Sequence, residues 1–147
     1  VFFFFFSFFL VSFCVFRYGQ GFDVRVEQNP INIAYTNAEL GFHQDLVYFE
    51  SPPGIQMLHC LELDPNALVG GESILMDIVH CAELFREENP TEFQVLCDIP
   101  ATFVKDHLNR ENPAQMFYRR PHFHVDPYNN DLTAVFWAPN FEGKNTC

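Results

Sequence analysis

The sequence predicts a mainly β fold with inserted helices, and three observations carry that expectation. Short runs of alternating or continuous apolar residues recur between clusters of Pro, Gly, Asn and Asp. Residues 77–97 instead keep helical spacing, divided at Pro90. Two late runs, Met116 to Asp126 and Leu132 to Ala138, are joined by Pro127-Tyr-Asn-Asn-Asp131 and read as a hairpin. Strands outside and a helical pair between them fit a barrel-like β core with a helical connection. No internal repeat is visible.

Each element has its own local signal. Phe22 to Glu27 alternates apolar and polar residues, as a half-exposed strand does. Pro30 interrupts it, and Ile31 to Thr36 reads as a short extended segment. Ser51-Pro-Pro-Gly54 is a turn. Ile55 to Leu63 is apolar at nearly every position, so it is the strongest strand, expected to be buried on both faces. Asp64-Pro-Asn-Ala67 and Gly70-Gly71 punctuate a loop, and Ser73 to Met76 reads as a short strand. The Asp77 carboxylate can accept from unpaired N–H groups and cap a helix running to Asn89. Ile78, Cys81, Ala82, Leu84 and Phe85 form its apolar stripe. Pro90 stops it, and Thr91 can cap a second helix to about Cys97. Ala101 to Lys105 reads as a strand.

Composition excludes some functions. The chain has 147 residues, enough for one domain with a core, and a formal net charge of −11. An acidic chain lacks the basic face that nucleic acid requires. It fits a small or cationic ligand. Residues 1–16 hold nine of the 19 phenylalanines. That tract falls short of the roughly 20 residues a membrane helix needs. It also lacks the basic start and small-residue cleavage site of a signal peptide. Phe, Ser, Leu, Val and Cys share T-rich codons, so a translated pyrimidine tract would read this way. The tract is therefore expected to be an artefact of the gene reading. A genuine hydrophobic strand or helix packed on the core is the alternative. The five cysteines form no CxxC and no zinc pattern, and an odd count without a leader points to reduced thiols inside a cell. Cys60, Cys81 and Cys97 sit in apolar contexts, where Cys acts as a small hydrophobe.

The chemistry centres on His43-Gln-Asp45. In an extended strand, residues two apart share a face, so an imidazole nitrogen and a carboxylate oxygen can converge on one ion. A second histidine would complete a 2-His-1-carboxylate set with open positions on Fe(II). Three residues alone are unspecific. His122-Phe-His124 is the rival, two imidazoles on one strand face, although Arg119-Arg-Pro121 beside it suggests a solvated edge. His59 reads as a satisfied core histidine, and His80 and His107 as solvated.

The words around His43 add specificity. Asn32-Ile-Ala-Tyr-Thr36, Gly41-Phe-His-Gln-Asp45, Pro53-Gly-Ile-Gln-Met-Leu-His-Cys60, Gly70-Gly-Glu-Ser73 and Met76-Asp77 occur in order and at matching spacing. Together they resemble the gamma-butyrobetaine dioxygenase and trimethyllysine dioxygenase family, within the taurine-dioxygenase-like Fe(II)/2-oxoglutarate oxygenases. The resemblance runs from about Tyr18 to Phe103 and more loosely to Gly143. It implies a double-stranded β-helix (jelly-roll) core, incomplete here, with residues 17–147 as the N-terminal part of a truncated catalytic domain. It implies Fe(II) held by His43 and Asp45, 2-oxoglutarate as cosubstrate beside Leu58, and ascorbate as an accessory reductant. No side chain is assigned an acid–base or nucleophilic role.

The reaction so implied is hydroxylation of a trimethylammonium-bearing acid, gamma-butyrobetaine, in carnitine synthesis. Tyr35 falls where the family places an aromatic of the trimethylammonium cage, and Asn32 where it orients the substrate carboxylate. Read without the resemblance, Tyr35 is a core tyrosine and Asn32 a turn residue after Pro30. The sister activity on trimethyllysine is the alternative, as is an inactive member serving as a binding or scaffold protein. A cytoplasmic location follows from the first activity and a mitochondrial one from the second. A homodimer is implied for the full-length protein, with no nucleic acid or membrane as partner. The pattern also departs from the family. The family's distal His and Arg lie far downstream of its HxD, whereas 102 residues follow Asp45 and hold no such segment. Its second carboxylate-orienting Asn would fall near Trp137-Ala-Pro-Asn140, where the local sequence differs.

Overall fold

A computed structural model describes residues 4–7, 21–30, 32–56, 58–61, 72–108 and 113–143. The expected loop at Asp64 to Gly71, and most of the Phe-rich tract, lie outside these residues. Contacts divide the chain into two units, Val1–Gly41 with Pro53–Ile74, and Phe42–Pro52 with Leu75–Cys147. Among the described residues, the strands form small antiparallel sheets, accompanied by two helices.

In the first unit, β1 (Phe4–Ser7) lies between β2 (Gly21–Val24) and β3 (Leu58–Cys60), antiparallel to both. The strand expected from Phe22 to Glu27 thus ends early. The segment expected to run extended to Thr36 instead holds a turn of 3-10 helix at Ile33–Tyr35. Asn32 explains the difference, because its own backbone is extended while its side-chain oxygen accepts from Ala34 N–H at 3.4 Å. The Thr36 hydroxyl closes the other end by donating to Ile33 O at 2.7 Å.

The apolar run at Ile55 to Leu63 departs most from expectation. Among its described residues the regular part is Leu58–Cys60, and the run is exposed: Ile55 is 71%, Leu58 49% and Leu61 57% accessible. His59 and Cys60 are exposed with it. Apolar composition states what a segment would bury, not what lies over it. Ser73 to Met76 is irregular and exposed rather than a strand.

In the second unit, α1 (Ile78–Glu88) starts as its sequence dictates, with the Asp77 carboxylate accepting from His80 N–H at 3.0 Å. Helix α2 (Pro90–Asp98) starts two residues earlier than expected. Pro90 occupies its first turn, where a missing N–H costs nothing, and Asn89 rather than Thr91 is the cap. Pro90 therefore begins one helix as it ends the other. Strand β4 (Ala101–Asp106) pairs in register with β5 (Gln115–Arg120). The expected hairpin arm from Met116 to Asp126 is split, because Pro121 has no N–H for a continuous ladder. Beyond the proline, β6 (Phe123–Val125) pairs with β7 (Leu132–Val135). Their loop is built by Asp and Asn side chains: Asp126 accepts from Tyr128 N–H at 2.7 Å, and Asn130 takes the left-handed conformation at φ 64°.

Two apolar clusters hold this unit. Val47, Tyr48, Phe103 and Ala138 form one; Ala82, Phe93, Phe123 and Val135 form the other. Stacking of Phe93 on Phe123, with centroids 4.8 Å apart, joins α2 to β6. Gly143 N–H donates to Thr102 O at 2.8 Å, and a Cβ there would meet Val104 Cγ2 at 2.7 Å, so the close approach requires glycine.

Phe103 is fully buried, whereas Phe117 on the facing strand is 65% exposed. Phe103→Ala should remove about 3–5 kcal/mol, a large part of the stability of a small domain. It should abolish the near-ultraviolet circular dichroism of the chain. Phe117→Ala should shift the urea unfolding free energy by no more than about 0.5 kcal/mol.

Candidate metal centre

His43 and Asp45 lie in no strand. Asp45 opens a turn at residues 45–48, and Leu46 carries φ 62°, a left-handed conformation that is costly for a branched residue. Burial behind it explains why the turn is held. Val47 and Tyr48 are 1% and 4% exposed, and Phe49 N–H donates to Leu46 O at 3.0 Å. The turn still brings the two donors together. His43 Nε2 and Asp45 Oδ1 are 3.6 Å apart, with side chains 24% and 39% exposed. Two atoms bound to one divalent ion at about 2.1 Å each lie no more than about 4.2 Å apart. One imidazole nitrogen and one carboxylate oxygen, side by side and reachable from solvent, fit such an ion. Among the described residues no third His, Cys, Asp or Glu joins them.

The segment carrying the pair is tied to the β structure of its own unit. Gln44 N–H donates to Trp137 O at 2.8 Å, and Trp137 N–H donates to Gln44 Oε1 at 2.9 Å. Farther along, Arg120 Nη2 donates to the carbonyls of Phe49 and Glu50, the latter at 2.9 Å. Its guanidinium lies 4.2 Å from the ring centroids of both Tyr118 and Phe136. Burial pulls the Arg120 pKa below its ordinary value, against the opposing pull of Tyr118 and Glu50. The expected solvated edge at Arg119-Arg120 is therefore half wrong: Arg119 is exposed and Arg120 is buried.

The structure gives the two imidazoles of the rival His122-Phe-His124 pair different surroundings. His122 is 7% exposed, and its Nδ1 meets Phe136 O at 2.8 Å. Its Nε2 lies 3.5 Å from Glu142, and its ring packs against Phe103 and Trp137. His124 is exposed and lies beside Thr133. Pro121 sets His122 outside the strand, which separates the roles of the two imidazoles. His80 is exposed as expected, but His107 is buried, its backbone paired with Ala114. Asn140 is exposed.

The remaining candidates belong to the first unit. Tyr35 is half-buried, its carbonyl accepting from Glu27 N–H at 2.9 Å. Asn32 is half-buried and caps the 3-10 turn. Leu58 is on β3 and exposed rather than buried. Sequence reasoning named the donors but missed Gln44, Trp137 and Arg120, which fix the donor segment.

A separate groove of about 500 Å³ is lined by Arg86, Phe93, Cys97, Phe123, His124 and Asn130, among others. It does not include His43 or Asp45.

With this geometry in place, the comparisons define the class. The sequence profile of the "Taurine catabolism dioxygenase TauD, TfdA family" matches residues 13–144. The chain belongs to that family. A protein named "Dioxygenase str8" from Strobilurus tenacellus is 36% identical over 125 residues, 85% of this chain and 28% of its own length. Trimethyllysine dioxygenase of Meyerozyma guilliermondii is 33% identical over 82% of the chain and 29% of its own length. Gamma-butyrobetaine dioxygenase of a Pseudomonas species is 40% identical over 59% of the chain and 22% of its own length. The chain thus spans less than a third of these relatives.

Burial raises the Cys97 thiol pKa, the adjacent Asp98 raises it further, and Arg86 partly opposes them. Thiolate is the reactive form, so Cys97 should alkylate with iodoacetamide more slowly than exposed Cys60 at pH 8. Asp98→Asn should speed Cys97 labelling, because removing the negative charge lowers its pKa. Site-resolved mass spectrometry over time measures both.

Proposed function

We propose that this chain is part of an Fe(II)/2-oxoglutarate-dependent dioxygenase with a jelly-roll catalytic core, acting on gamma-butyrobetaine. The observation that carries the reading is the His43–Asp45 pair, 3.6 Å apart and solvent-reachable, inside a chain of the TauD, TfdA family. When bound there, iron with 2-oxoglutarate supplies the oxygen activation that hydroxylates an unactivated C–H bond. The chain's own residues hold and orient. His43 Nε2 and Asp45 Oδ1 are the donors it contributes. Two donors make a weak site on their own, so a distal histidine completes it in the full-length protein.

The substrate roles rest on the first unit. The half-buried face of Tyr35 attracts a trimethylammonium group through its ring quadrupole. Asn32 orients the substrate carboxylate while its oxygen caps the 3-10 turn. Leu58, on the exposed side of β3, contributes apolar surface to the cosubstrate. Ascorbate keeps the iron reduced.

A trimethyllysine substrate is the second reading, favoured by the yeast trimethyllysine dioxygenase that aligns over 82% of the chain. It goes with a mitochondrial location, and the butyrobetaine reading with a cytoplasmic one. No helix among the described residues is long and apolar enough to cross a membrane.

The test uses the full-length enzyme that carries this chain. A well-placed tyrosine contributes on the order of 1–2 kcal/mol to a quaternary ammonium. Tyr35→Leu should therefore raise the KM for gamma-butyrobetaine about tenfold. His43→Ala should abolish succinate formation. An unchanged KM with an inactive His43→Ala enzyme would leave the dioxygenase in place and remove Tyr35 as the holder of a quaternary ammonium. Turnover of trimethyllysine alone would establish the second reading, and turnover of neither would overturn both.

A further inference from the structure

We propose that Gln44, the residue between the two donors, is a positioning residue for the metal pair, acting through a two-bond clamp on the Trp137 backbone. This rests on the reading of His43 and Asp45 as ion donors. Gln44 gives its backbone N–H to Trp137 O at 2.8 Å and takes the Trp137 N–H on its side-chain Oε1 at 2.9 Å. Anchoring one residue by both backbone and side chain fixes the direction in which its two neighbours project. Those neighbours are the donors, and they project to within 3.6 Å of each other.

Both ends of the clamp are anchored by further contacts. On the Trp137 side, Phe136 N–H donates to His122 O at 2.8 Å, and His122 Nδ1 meets Phe136 O at 2.8 Å. The His122 ring packs on the indole at 5.6 Å, and the next residue, Ala138, is fully buried. On the donor side, Leu46 turns the chain at positive φ into buried Val47 and Tyr48. Asp45 is thus caught between a clamped residue and a core-anchored turn. Without the clamp, the segment before that turn has no regular structure to hold His43 against Asp45.

The experiment titrates Mn(II) into the full-length enzyme that carries this chain and follows the free aquo-ion signal by electron paramagnetic resonance. Hydrogen exchange at Trp137 N–H and a circular dichroism melt accompany each variant. Gln44→Met keeps length and volume but has no oxygen acceptor. It should speed Trp137 exchange, leave the melt in place and raise the Mn(II) Kd about tenfold, the lower end of what partners of metal ligands contribute. Gln44→Glu keeps an acceptor at the same reach, so Trp137 exchange should stay slow and affinity should not weaken. Gln44→Ala makes the same comparison should the Met chain not fold. Faster exchange with an unchanged Kd would overturn the positioning role, as would weakened binding in Gln44→Glu with slow exchange. Asp45→Ala separates the two readings. If it binds Mn(II) like wild type, the metal assignment itself fails; if it loses binding while Gln44→Met keeps it, only the role of Gln44 fails.

Discussion

The geometry of the donor pair depends on one constraint, the tie between residues 42–52 and the ends of β5 and β7. This segment has no helix or strand of its own, so its shape is borrowed. Three anchors supply it. Gln44 exchanges two hydrogen bonds with Trp137, Arg120 donates to the carbonyls of Phe49 and Glu50, and Val47 and Tyr48 pack with Phe103 and Ala138. A hydrogen bond to a charged group contributes about 1.5–3 kcal/mol, and a left-handed Leu46 costs about 1–2 kcal/mol. The anchors therefore outweigh the strain that aims Asp45 at His43.

Arg120 shows how these anchors hold. A buried guanidinium is unfavourable unless its charge and donors are met. Here Nη2 meets two carbonyls and aromatic rings stand 4.2 Å away on Tyr118 and Phe136, while Nε is buried without a hydrogen-bond partner, so part of the burial cost stays unmet. Lysine has neither the planar fork nor the weak hydration that this setting uses. The arginine that closes β5 thus fixes a loop about seventy positions earlier in sequence, which in turn carries the donors.

Local chemistry made part of this legible in the sequence. Asp77 capping α1 and the Asp/Asn loop after β6 arise from side chains bonding nearby backbone, which needs no tertiary information, and β4 was legible from its own run of residues. The family was legible because several short words kept their order, and the same words singled out His43 and Asp45, which the structure sets 3.6 Å apart. What failed needed long-range knowledge. The apolar run at Ile55 to Leu63 promised a buried strand, yet Ile55, Leu58 and Leu61 are exposed. His107 and Arg120 looked solvated because they are polar, whereas their burial is set by residues distant in the chain. The HxD motif was expected on a strand; a core-held turn and a glutamine clamp juxtapose its donors instead. The expected hairpin arm ran straight through Pro121, whose missing N–H divides it between two partners.

The most direct test of the account places the ion itself. Substoichiometric Mn(II) added to the nitrogen-15-labelled chain broadens amide signals near the bound metal. Broadening should centre on residues 42–46 and extend to Trp137, which the clamp holds beside them. Broadening centred on His122 and His124, or on the groove around Cys97, with residues 42–46 unaffected, would contradict the account.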